Sequence, residues 1–207
     1  MPFYHELIVQ KSWQLLQSLR KKYDFILIGG WAVFLYARSL KSKDIDLVLT
    51  FDQLEKLRSG FPVTKNNRLK KYEAKTGSTE IDIYVPFYSN PGLPAEELAK
   101  FTTNLTGFQT IKPEALAILK QKALLSRKDS VKGRKDLLDL FSLFRLAEFN
   151  WPEYQEIIEK YQFQPAIKEI KEIIKQTRSL PEINLNPHQM AKLKKKLPPN
   201  LYSLNLR

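Results

Sequence analysis

The feature that most narrows what this chain can become is a short apolar run, Phe25-Ile26-Leu27-Ile28, that ends directly on Gly29-Gly30. A buried strand stopping on two glycines leaves bare backbone where the next element begins. Residues 31–38 read as a helix and Ile45 to Leu49 as a second strand. Asp44 and Asp46 stand two apart on that strand, so both carboxylates leave one face while Ile45, Leu47 and Leu49 take the other. Asp82, between Ile81 and Ile83, repeats the arrangement on a later strand, and Glu80 shares its face as a candidate fourth acid. Like charges side by side on strands are destabilising unless a cation stands between them. A divalent ion on carboxylate oxygens meets that need, and three such carboxylates can hold two ions for phosphoryl transfer. Alone, the glycine pair reads as an ordinary strand–helix turn and Asp-x-Asp as a solvated strand edge. Together, with 13 residues (31–43) between the glycines and Asp44, they point to a phosphate and metal site.

Periodicity organises the rest. Residues 6–22 predict an amphipathic helix and Phe51 to Arg58 another. Tyr72 to Ala74 and Glu80 to Val85 predict strands around a hairpin at Thr76-Gly77-Ser78, followed by a Pro-rich loop, Pro86 to Pro94. Helical patterns then occupy 113–128, 132–148, 152–161 and 164–178, and the Pro- and Lys-rich segment from Pro181 predicts an extended arm or a last helix. Strands and helices come first and helices alone follow, which implies an α+β (α/β) fold: a mixed sheet flanked by helices, then a helical bundle. The expected division is a catalytic domain over 1–110, a helical domain over 111–180 and a basic arm over 181–207.

Composition excludes several classes. The 207 residues contain no cysteine and only two histidines, His5 and His188. Disulfides, thiolate zinc sites and cysteine nucleophiles are therefore excluded, and a metal here is a hard ion on oxygen ligands. No apolar stretch reaches membrane-spanning length, and the start lacks a charged segment followed by an apolar one, which predicts a cytoplasmic protein without membrane contact. The formal net charge is +12. That charge favours polyanionic partners, although Lys-rich surfaces also serve solubility alone.

The run Ile28-Gly29-Gly30-Trp31-Ala32, then Ser42-Lys43-Asp44-Ile45-Asp46-Leu47, then Glu80-Ile81-Asp82-Ile83 resembles the DNA polymerase β-type nucleotidyltransferase superfamily. Within it, the chain is most similar to the AbiEii-type nucleotidyltransferases and their antibiotic-modifying relatives. Two downstream segments add to the likeness: Lys120-Gln121-Lys122-Ala123-Leu124-Leu125-Ser126-Arg127, and Arg134-Lys135-Asp136-Leu137-Leu138-Asp139-Leu140. The resemblance covers about residues 25–147.

It implies a nucleotidyltransferase fold and transfer of a nucleoside monophosphate from an NTP, with Mg²⁺ (or Mn²⁺) on Asp44, Asp46 and Asp82. It implies catalytic roles for Lys120 and Asp136, and nucleotide contacts from Gly29, Gly30, Ser42, Lys120 and Arg134. The acceptor stays open: RNA or tRNA, a protein as for an AbiEii-like toxin with an antitoxin partner, or a small molecule of the aminoglycoside or lincosamide kind. A non-catalytic nucleotide- or RNA-binding protein of the same fold is the alternative. Helical projection puts Lys120, Arg127 and Asp136 on apolar faces, where each needs a counter-charge. Either a shared polar cleft or an internal ion-pair network answers that need.

Overall fold

In the computed structural model, which describes residues 2–199 and 201, the chain forms two compact units, Met1–Lys112 and Pro113–Arg207. The first contains α1 (Pro2–Arg20), β1 (Ile26–Ile28), α2 (Gly29–Ala37), β2 (Ile45–Val48), α3 (Phe51–Arg58), β3 (Val63–Asn66), β4 (Lys71–Thr76) and β5 (Thr79–Tyr84). A 3₁₀ segment, Ala95–Phe101, leads into β6 (Thr102–Leu105) and β7 (Phe108–Ile111). These strands make one mixed sheet in the order β3-β4-β5-β2-β1-β7-β6. The β2–β5 and β1–β7 pairs are parallel and the others antiparallel. The mixed sheet with flanking helices is the fold class that the sequence implies. Strands β3, β6 and β7 are additions to the sequence reading.

Alternation decides which face of the sheet is core. Leu27, Ile45, Leu47, Ile81 and Ile83 are at most 1% exposed. Of the residues interleaved with them on β2 and β5, Asp46, Asp82 and Tyr84 keep partial exposure and Glu80 is exposed, while Val48 is buried. Helices α1 and α2 pack on the sheet. Trp31 of α2 is buried, donates its indole N–H to Ser12 Oγ at 2.9 Å and lies against Trp13 of α1. Burying an indole with its one donor satisfied locks α2 in place at little polar cost.

The second unit is helical: α4 (Pro113–Arg127), α5 (Val131–Phe144), α6 (Trp151–Lys160), α7 (Gln164–Gln176), a 3₁₀ turn at Pro181–Ile183 and α8 (Pro187–Lys196). Side-chain caps start three of them: Ser130 accepts from Gly133 N, Asn150 from Glu153 N, and Asn186 forms a capping box with Gln189. The helix that the sequence extends to residue 148 stops at Phe144, because Phe149 and Trp151 turn back onto Phe144, at ring-centroid distances of 5.5 and 5.1 Å. Of the two expectations for the segment after Pro181, the packed helix is the one observed: Leu185, Met190 and Leu193 are buried. Residues 200 and 202–207 of the expected arm lie outside the described residues. Among the described residues no helix is long and apolar enough to cross a membrane.

Tyr154 anchors this core. It is fully buried, its hydroxyl accepts from Gln121 Nε2, and burial raises the phenol well above its ordinary value of 10. A group raised in the folded state contributes stability that is complete below its unfolded value and is lost as pH rises past it. Above pH 10 the wild type should therefore lose about 1.4 kcal/mol per pH unit through this one residue. Urea unfolding of wild type and Tyr154→Phe between pH 9.5 and 11 should show a steeper alkaline decline in the wild type. Parallel declines would contradict it.

Candidate active site

The acidic site in the first unit begins with a backbone constraint. Gly29, first residue of α2, has φ +70°, and a Cβ built on it would lie 2.0 Å from Asp46 Oδ2 and 2.7 Å from Asp46 Cβ. No other residue type leaves room there: the close approach excludes a side chain, and the left-handed φ disfavours one. The Asp46 carboxylate is thus seated on bare backbone at the start of a helix. That start has no side-chain cap: the residue before it, Ile28, is extended and apolar. A helix start that its N-cap residue does not cap, beside two glycines, is an anion-binding end. Gly30 is buried behind Gly29, and Ser42 is buried before Asp44.

Register extends the site across the sheet. Ile28 pairs with Asp46, Asp46 with Asp82, and Asp82 with Glu73, so one row crosses β1, β2, β5 and β4. Cross-strand partners share a face, which gathers three carboxylates side by side. Asp44 precedes β2 in a bend rather than standing on the strand as the sequence implies, and its charge acts on Asp82.

A lysine answers the acidic row. Lys71 Nζ lies 2.7 Å from Asp82 Oδ2 and 2.9 Å from Glu73 Oε1, with its side chain 11% exposed. Burial alone would lower the Lys71 ammonium, but hydrogen bonds and charge from Asp82 and Glu73 outweigh it and raise it. Lys71 in turn lowers Glu73, which Asn66 Nδ2 also contacts at 3.0 Å. Burial pushes the Asp82 carboxyl above its ordinary value despite the opposing pull of Lys71. Among the described residues no three acidic or histidine side chains group to hold a metal ion. Sequence reasoning missed Lys71 and Glu73, although the hairpin carried the signal. Its two-residue loop, Gly77-Ser78, pairs Thr76 with Thr79 and so sets Glu73 opposite Asp82.

In the helical unit the structure brings the other expected residues into ion pairs. Lys120 Nζ lies 3.3 Å from Asp136 Oδ1 and 2.7 Å from Asp139 Oδ2, and Arg127 grips Asp136 Oδ2 through Nε and Nη2 at 2.8 Å each. Asp136 and Asp139 are at most 1% exposed. The Lys120–Asp139 approach lies outside hydrogen-bond angles, so neither Asp139 oxygen accepts a hydrogen bond. Gly133 permits this turn, for a Cβ there would lie 2.1 Å from Arg127 O. Arg134 faces elsewhere, with Nη2 2.9 and 3.0 Å from the two oxygens of Glu182.

No family model and no curated protein matches the chain. Solved structures do. The solution structure of the antibiotic-resistance factor ANT(2'')-Ia aligns with a TM-score of 0.53 at 14% identity, covering 82% of this chain and 97% of that one. The crystal structure of ANT(2'')-Ia in complex with adenylyl-2''-tobramycin aligns at 0.52 and 13%, covering 74% and 96%. A protein from H. pylori described as a nucleotidyltransferase aligns at 0.50 and 18%, covering 89% and 91%. The chain has the nucleotidyltransferase fold. At these identities the likeness establishes the fold alone, and the chemistry has to come from the residues.

The contact between Gly29 and Asp46 is testable by a double-mutant cycle. Gly29→Ala should cost at least ~1–2 kcal/mol from the left-handed backbone alone, plus displacement of the carboxylate. Removing that carboxylate first, in Asp46→Ala, should make Gly29→Ala cheaper by at least ~0.5 kcal/mol in urea unfolding. Strict additivity would mean that the two residues are not packed together.

Proposed function

We propose that this chain transfers a nucleoside monophosphate from a nucleoside triphosphate to an acceptor hydroxyl and releases pyrophosphate. The observation that carries the reading is the Asp46 carboxylate seated on Gly29 at an uncapped helix start, in register with Asp82. The N–H groups of the helix start at Gly29 and Gly30 would bind phosphate oxygens, and Ser42 would approach from the loop before Asp44. Mg²⁺ (or Mn²⁺) is commonly held by one or two carboxylates together with substrate phosphates. Asp44 and Asp46 supply such a pair, and an ion bound there would neutralise charge on the phosphates.

The acceptor oxygen attacks the α-phosphorus in line, the bond to the pyrophosphate oxygen breaks, and the acceptor proton needs a base. Asp82 suits that role: it is partly exposed, and burial raises its carboxyl above the ordinary value despite the opposing pull of Lys71. Most of the acceleration would come from holding the reacting atoms in line. Lys120, Asp136 and Arg134 are engaged by partners within the helical unit, and we assign them to its stability rather than to the triphosphate.

Charge separates the acceptors. Tobramycin, adenylylated in the ANT(2'')-Ia complex, is a polycation, which a chain of net charge +12 does not attract. RNA, including tRNA, is the acceptor class that this charge favours. An AbiEii-like toxin role, with a protein acceptor or an antitoxin partner, rests on the motif resemblance alone.

With labelled NTPs and bulk RNA, the wild type should incorporate label in a Mg²⁺-dependent manner, strongly weakened between 50 and ~200 mM salt. Asp46→Asn should lower incorporation by at least ~10²-fold with the fold retained by circular dichroism. Nucleotide binding without turnover in the wild type would favour the non-catalytic alternative. Labelling of an aminoglycoside in place of RNA would overturn the acceptor assignment.

A further inference from the structure

Resting on the nucleotidyl-transfer reading, we propose that the Lys71 ammonium takes the place of a second metal ion, so that the chain binds one divalent cation with its nucleotide, on Asp44 and Asp46, and Asp82 carries none. Three carboxylates in one cross-strand row, Asp46, Asp82 and Glu73, require a cation among them. The fold supplies it internally. Lys71 stands two residues before Glu73 on β4, therefore on the same face, and reaches both Glu73 and Asp82 at ion-pair distance.

Three features distinguish this lysine from a solvated surface one. Its side chain is enclosed, at 11% exposure. Its cross-strand partner Asn66 fixes Glu73 through Nδ2, so the second anchor is itself held. The hairpin register that aims Lys71 is fixed by a two-residue loop and leaves no slack for it to face elsewhere. An ammonium 2.7 Å from Asp82 Oδ2 already supplies that oxygen with a positive partner.

The test counts ions. With a saturating non-hydrolysable NTP, Mn²⁺ binding measured by electron paramagnetic resonance should give one ion per wild-type chain. Asp46→Asn should weaken that ion by at least about tenfold, whereas Asp82→Asn should hold it within about threefold. Lys71→Met should gain a second ion, which the double variant Lys71→Met/Asp82→Asn loses, and Lys71→Arg should stay at one. Two ions in the wild type, equal losses in Asp46→Asn and Asp82→Asn, or a folded Lys71→Met that stays at one ion would each overturn the proposal. Should Lys71→Met not fold, the wild type and the two aspartate variants decide. Failure of the underlying reading looks different: a wild type that binds neither nucleotide nor Mn²⁺ removes that reading and this inference with it.

Discussion

A carboxylate pressed against a glycine α-carbon organises the first unit. Asp46 can occupy its place only because Gly29 has no side chain and adopts φ +70°. Gly29 adopts that conformation where β1 gives way at once to α2. The same contact ties the acid to the helix start and, through strand register, to Asp82 and Glu73. Site and sheet are therefore one construction: a shift of one residue in β2 would send Asp46 into the core and Ile45 and Leu47 outward. The apolar face, at most 1% exposed at Leu27, Ile45, Leu47, Ile81 and Ile83, is what prevents the shift.

Both units face the same electrostatic problem and solve it with lysine. In the sheet, Lys71 compensates Asp82 and Glu73 where partial exposure softens the cost. In the helical unit, Lys120 and Arg127 compensate Asp136 and Asp139 with both acids almost fully buried. Breaking a buried pair by removing one partner typically costs ~3–5 kcal/mol, because the other charge is left stranded. The helical cluster thus has a sufficient structural reason to exist, and its cations are engaged by acids of their own unit. The sheet site differs: its acids stand beside an uncapped helix start, a feature that structure alone does not require.

Much of this was legible in the sequence, and the failures have physical causes. Glycines, alternating acids and apolar flanks define β1, β2 and β5 because these strands are central and half or wholly buried. Strands β3 and β6 escaped because they lie at the two edges of the sheet, where Val63–Asn66 and Thr102–Leu105 are polar and largely unburied. The burial of Lys120 and Asp136 followed from helical projection. Their mutual pairing did not, since projection treats each helix alone and does not say that α4 and α5 face each other with Asp139 between them. Lys71 was obscured by its setting in a Lys-rich stretch from Lys65 to Lys75, where composition suggested a solvated surface. Only counting residues back from the Gly77-Ser78 turn reveals that it faces the acids.

The central claim is that the helix start at Gly29 and the adjoining acids form the seat of a nucleoside triphosphate. Crystals grown with Mn²⁺ and a non-hydrolysable NTP test it directly. The account predicts triphosphate density against Gly29 and Gly30, with anomalous scattering from manganese at Asp44 and Asp46. Nucleotide bound elsewhere on the chain, with these carboxylates untouched, would contradict it.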